Sequence, residues 1–299
     1  NTVLAAAANN DNVTDADRNA LSSLIEAAQQ SYAARTETES ADKARTDELV
    51  AQTAIVRQLV NAVNEPYVVL SDNNTVLTFY YDKKKDELGG TILGTIRPGT
   101  LMDRSWNDAR ETITTVSFDA SMAGYTVLNS TAWWFTYLSK LTTINGLENL
   151  KTDNVTDMTA MFEGCSSLET IDLSSFNTAN VTSLNALFSG CTSLQSVTLG
   201  NMNTEKVTDM RALFYNCPLL TTLDLSSFVT PSLTSIGGMF YGCTELRTIM
   251  VGNGWNITNI GGNQGDKDEV FADCTSLVGG MFTAYDSNHI ATPDGGGRL

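Results

Sequence analysis

The apolar positions of this chain recur in widely spaced columns rather than along one helical or strand stripe. Leu168, Leu194, Leu220 and Leu246 share one position; Ile171, Val197, Leu223 and Ile249 share another; Leu173, Leu199, Leu225 and Val251 a third. Phe176, Met202, Phe228 and Trp255 form a fourth column, followed by Val181, Val207 and Leu233, and by Leu184, Met210 and Ile236. Phe162, Phe188, Phe214, Phe240 and Phe271 stand just before Cys165, Cys191, Cys217, Cys243 and Cys274, whose first four members are 26 residues apart and whose last follows after 31. A fixed period of this length marks a solenoid, in which each repeat is one coil that buries its apolar face only against its neighbours.

Within a copy, Ile171 and Leu173 alternate with Thr170 and Asp172, the period-two pattern of a strand with one buried face. Stacked in parallel, such strands predict a sheet running along the solenoid axis. Residues 177–180 supply a turn, 181–184 begin a second flat side, and 185–188 predict a short helix before Gly190. An earlier copy, from Leu141 to Cys165, carries one extra residue at Asn145-Gly146. A more degenerate copy begins at Ile113 and has Leu138 where cysteine would stand.

Ahead of the repeats the pattern differs. Residues 1–66 lack glycine and have no proline before Pro66. A helix start at Thr14–Asp17 leads into a heptad frame through Leu21, Leu24, Ala28, Leu49, Val56, Leu59 and Val63, with polar residues in the middle heptads. This predicts a helical segment, either packed on the solenoid or forming a coiled-coil stalk over 15–64 that drives self-association into a homotrimer. Val68–Leu70 and Val76–Tyr81 flank Ser71-Asp72-Asn73-Asn74 and predict a β-hairpin capping the first coil. The organisation expected is a helical segment over 1–66, a hairpin cap over 67–112, a solenoid over 113–282 and a tail over 283–299.

Charge narrows the partners. The chain has 18 basic and 34 acidic residues, a net charge of −16, which repels nucleic-acid backbones and anionic membranes. There is no apolar run long enough for a spanning helix. An odd count of five cysteines argues against a closed disulfide framework, and their shared repeat position predicts buried, reduced thiols. The first residue, Asn1, fits a processed or trimmed form from which a signal peptide or lipid anchor has been removed, and 293–299 looks curtailed.

Leu220–Phe228 (Leu-x-x-Leu-Asp-Leu-Ser-Ser-Phe) and Asn154–Leu168 (Asn-Val-Thr-Asp-Met-x-x-Met-Phe-x-Gly-Cys-Ser-Ser-Leu) resemble the BspA-like, 26-residue variant of the leucine-rich repeat. The resemblance spans about residues 67–285. It implies an α+β chain whose main body is a right-handed leucine-rich-repeat solenoid of parallel stacked coils, displayed on a bacterial surface and active in adhesion. The family offers no shared catalytic residues, and the helical region 1–66 lies outside its pattern.

Candidate chemistry is sparse. His289 is the lone histidine, no cysteine has an activating partner, and no cofactor or metal is expected. The 261–269 insertion and the 11–17 segment hold oxygen ligands but do not follow the order of a calcium loop. The exposed strand positions Thr170, Asp172, Ser196, Thr198, Thr222, Asp224 and Thr248 line one face and are the candidate ligand-binding residues, because repeat proteins bind through extended surfaces. The expectation is a non-enzymatic extracellular recognition protein that binds a protein or glycan. The alternative is a trimeric phage fibre, part of a virion, with a coiled-coil stalk and the solenoid as receptor-binding head.

Overall fold

A computed structural model describes residues 64–93, 104–261 and 269–277, together with Ser23 and Glu26. The expected helical segment and trimer stalk, most of the 261–269 insertion, and the tail with His289 therefore lie outside the described residues. What is described is a solenoid of stacked coils begun by a hairpin.

β1 (Glu65–Ser71) and β2 (Val76–Asp82) pair antiparallel across a turn in which Asp72, Asn73 and Asn74 all have positive φ, a conformation that Asp and Asn adopt more readily than other non-glycine residues. β3 (Thr91–Ile92) pairs on the far edge of β1. β2 then pairs in parallel with β4 (Thr115–Phe118), and β4 with β5 (Thr143–Asn145), so the hairpin covers the open edge of the first coil. The later strands are β6 (Thr170–Asp172), β7 (Ser196–Thr198), β8 (Thr222–Leu225) and β9 (Thr248–Val251). They do not form the continuous sheet that the repeat predicts. The order is β3-β1-β2-β4-β5, then β6-β7, then β8-β9, three separate sheets.

The opposite side of the coils is not helical. Residues 158–164 run through successive turns, with Ala160 and Gly164 at positive φ, and Ala186 and Ala212 repeat that conformation in the next coils. Four alternate amides point out of each coil. Met158, Ala160, Phe162 and Gly164 donate to the carbonyls of Ser183, Asn185, Leu187 and Ser189, and Leu184, Ala186, Phe188 and Gly190 donate to Asp209, Arg211, Leu213 and Tyr215. A helix at 185–188 would turn these amides inward to carbonyls four residues back. Pairing with the next coil satisfies them instead and outweighs the left-handed cost at Ala186, about 1–2 kcal/mol.

At these positions the outward N–H groups point toward the C-terminal coils and the receiving C=O groups toward the N-terminal ones, so these peptide dipoles add along the axis, as they do in a helix. Arg104 sits at the carbonyl end. Its Nη1 donates to the carbonyls of Trp133 (2.9 Å) and Trp134 (3.0 Å), and its Nη2 donates to that of Thr136 (3.0 Å). The residue is only 3% exposed. Burial pushes its pKa down to about 10, which still leaves the guanidinium charged at neutral pH.

The interior is the set of predicted columns. Rings of Phe135, Phe162, Phe188, Phe214, Phe240 and Phe271 stack one per coil, with centroids 5.4–6.1 Å apart. At the capped end Phe79 meets Trp106, Phe118, Trp134 and Phe135. Leu138, in the place of cysteine, is fully buried. One column goes unread in the sequence. Thr152, Thr178, Thr204 and Thr230 are buried, and their hydroxyls donate to carbonyls of the next coil, as Thr204 does to Val229 at 2.8 Å.

Candidate functional site

Period-two alternation drives Ile171, Leu223 and Ile249 inward and leaves their neighbours facing water. Thr170, Asp172, Ser196, Thr198, Thr222 and Asp224 are exposed, while Thr248 is half-buried. Parallel pairing sets Thr170 beside Ser196 and Asp172 beside Thr198 on β6–β7, and Thr222 beside Thr248 on β8–β9. The structure therefore brings the seven predicted residues together as two groups on separate sheets. Both carboxylates also serve their own turns. Asp172 Oδ1 accepts from the Ser174 N–H at 2.8 Å, and Asp224 Oδ1 from the Ser226 N–H at 2.9 Å. Hydrogen bonds from the Ser174 and Ser226 side chains, then from their backbones, hold the two carboxyls below the usual carboxylate range. The face is thus charged at neutral pH and flat.

Its relief lies at the first interruption of the sheet. Between β5 and β6 there is a cavity of about 430 Å³ lined by Thr142, Thr143, Ile144, Leu147, Glu148, Thr170, Ile171, Asp172, Ser174 and Ser175. The extra residue of this copy places Gly146 at φ +68, and a Cβ there would lie 2.3 Å from the Phe118 carbonyl, so only glycine fits. A short 3-10 turn at Leu147–Asn149 follows and carries Glu148 to the rim. Coil-to-coil hydrogen bonds join the chain before and after the two strands. Ser166 Oγ donates to the Ser139 carbonyl, and Thr152 Oγ1 donates to the Asn177 carbonyl. Of the lining, only Thr170 and Asp172 were selected from sequence. The signal for the rest was the one-residue insertion at Asn145-Gly146.

The cysteine column has no such openness. All five thiols are free and buried, and each donates to the carbonyl of the phenylalanine one coil back, from Cys165 to Phe135 (3.2 Å) through Cys274 to Phe240 (2.9 Å). Burial pushes Cys191 and Cys243 up to about 12 and Cys274 up to about 11, so none is a ready thiolate. Among the described residues no cluster of three or more His, Cys, Asp or Glu side chains could hold a metal. No helix among them is long and apolar enough to cross a membrane. A further surface feature had no sequence signal beyond its repeat position: Tyr215 and Tyr241 stack at 4.7 Å on the turn side.

Residues 130–255 match the family described as "Mycoplasma protein of unknown function, DUF285". Among solved structures, a T. pallidum leucine-rich-repeat protein is 18% identical, with 62% of this chain and 78% of that one covered and a TM-score of 0.32. A leucine-rich-repeat protein of Eubacterium ventriosum is 14% identical over 72% of this chain and 82% of that one, TM-score 0.21. One of Bacteroides ovatus is 17% identical over 72% and 80%, TM-score 0.19. No curated protein matches the chain. The matched residues are those of the 26-residue repeat.

Proposed function

We propose that this chain, whose residues 130–255 carry the DUF285 repeat, is a non-enzymatic recognition protein that works outside the cell and adheres to a protein or glycan through its outward strand face. The observation that carries this reading is the contrast between the two kinds of position that recur with the repeat. The buried ones hold Phe, Leu and Cys in nearly every coil, whereas the outward ones, Met250 excepted, hold short hydroxyl and carboxylate side chains that leave the backbone approachable. A face of short side chains on a rigid stack accepts an extended partner without reorganising, which keeps the entropic cost of binding low. The thiols, buried and protonated, offer no nucleophile to a substrate.

A glycan and host-protein array probed with the full chain tests it. Retention of a defined set of ligands supports the reading. A chain that retains nothing, yet turns over a small-molecule substrate in an activity screen, would overturn it.

A further inference from the structure

The gap between β5 and β6 has the geometry of a missing strand, and we infer that it receives a short, extended, basic peptide segment as an inserted β-strand. The inference rests on the strand-face reading above and names the class of partner. In a parallel ladder, alternate residues turn both backbone groups to the same neighbour. Leu173 N–H donates to Thr198, so Ile171 and Leu173 face β7 with their backbones, and Thr170 and Asp172 face the gap. On the other side Thr143 N–H donates to Thr114, so Thr143 and Asn145 face β4, and Ile144 turns its N–H and C=O to the gap. No ladder joins β5 to β6. Both walls of the cavity therefore present strand edges, and an extended chain is the ligand whose own backbone complements both at once.

The rest of the lining selects among extended chains. Ile144, Leu147 and Ile171 form an apolar floor for inward side chains. Glu148 and Asp172 stand on the rim with no lysine or arginine in the lining, on a chain of net charge −16, which favours basic side chains on the outward positions. No aromatic ring lines the cavity, so a sugar would find no platform to stack on. The groove is short. β6 has three residues, about 10 Å of strand, and coil-to-coil hydrogen bonds at Ser166 and Thr152 flank the two strands in sequence, so the segment enters and leaves through the open face. The other interruption is different, because β7 and β8 remain in contact.

The test uses the full chain and a fluorescent, end-capped peptide of five residues alternating lysine and valine, with a second peptide N-methylated at the amides of its second and fourth residues. Anisotropy gives the two affinities, and amide hydrogen exchange reports on Ile144 and Asp172. The expected result is binding of the first peptide, weakening by about tenfold or more on N-methylation, and slowed exchange at both amides only when peptide is present. Glu148→Gln with Asp172→Asn should weaken binding and flatten its salt dependence, since these two charge pairs are gone. Equal affinity of the two peptides overturns the inference, because charge alone would then explain binding. An Ile144 amide already protected in the free chain also overturns it, because a segment of the same chain would fill the groove. If neither peptide binds but an array ligand does and is lost on Thr170→Arg with Thr222→Arg, the inserted strand is refuted while the strand-face reading stands.

Discussion

Replacing Arg104 with methionine removes the cation bonded to the carbonyl end of the aligned peptides while keeping a side chain of comparable reach. The Trp134 carbonyl retains a second donor, Trp106 Nε1 at 3.1 Å, but those of Trp133 and Thr136 lose the only side-chain donor they have among the described residues. Each carbonyl left buried and unpaired costs about 1–3 kcal/mol, so the two together cost about 2–6 kcal/mol. Part is returned, because the native chain buries a guanidinium with no carboxylate partner among the described residues and methionine does not. The net expectation is a loss of about 2–4 kcal/mol. Urea unfolding followed by tryptophan fluorescence reads it directly, since Trp106 and Trp134 pack around the site. Arg104→Lys supplies a charge without the fork and should fall between the two. A methionine variant within about 0.5 kcal/mol of the parent would refute the reasoning, showing that the dipole end needs no cation.

The buried hydroxyl column gives a second case. Thr204→Val keeps the shape but strands the Val229 carbonyl and N–H, which the hydroxyl bridges at 2.8 and 2.9 Å, and should cost about 2–4 kcal/mol by the same unfolding assay. Gly164→Ala should destabilise strongly, because φ is +69° and the new Cβ would meet the Tyr137 ring at 2.4 Å; an unchanged melting temperature would show that the ring swings away freely. The five thiols should resist a thiol reagent in the native chain and all react after denaturation. Their folded pKa values lie above the ordinary 9.0, so the stability they confer is full below pH 9 and is lost as pH rises toward about 12. A melting temperature that holds constant across that alkaline window would contradict the buried column.

How much of this was legible in the sequence varied by element. The columns of Leu, Phe and Cys declared the solenoid because each interior site admits one size of apolar group, and stacking repeats the site every coil. The hairpin was equally plain, since Asp72, Asn73 and Asn74 are the residues that tolerate three successive left-handed positions. The stretch 185–188 misled because its side chains favour helix weakly, while the destination of its amides is fixed by a neighbouring coil that local propensity does not see. The threonine column was visible at the repeat spacing but went unread, because hydroxyl residues usually sit at the surface. Arg104 lies in a segment without periodicity, and its partners are 29–32 residues away, so nothing in the pattern pointed to it. The insertion at Asn145-Gly146 was seen, whereas its result, a gap between strands, required the register of both neighbours. The seven strand residues were placed outward by their alternation; their division between two sheets was not readable.

The most direct test of the central claim compares two double variants against a ligand retained on the array. Thr170→Arg with Thr222→Arg plants long side chains on the strand face, and Thr182→Arg with Thr234→Arg plants the same number on a different exposed column of the same coils. The account predicts that the first pair abolishes binding measured by surface plasmon resonance while the second leaves it intact, with both variants unfolding like the parent. Binding that survives the first pair, or that is lost equally with the second, would contradict recognition through the strand face.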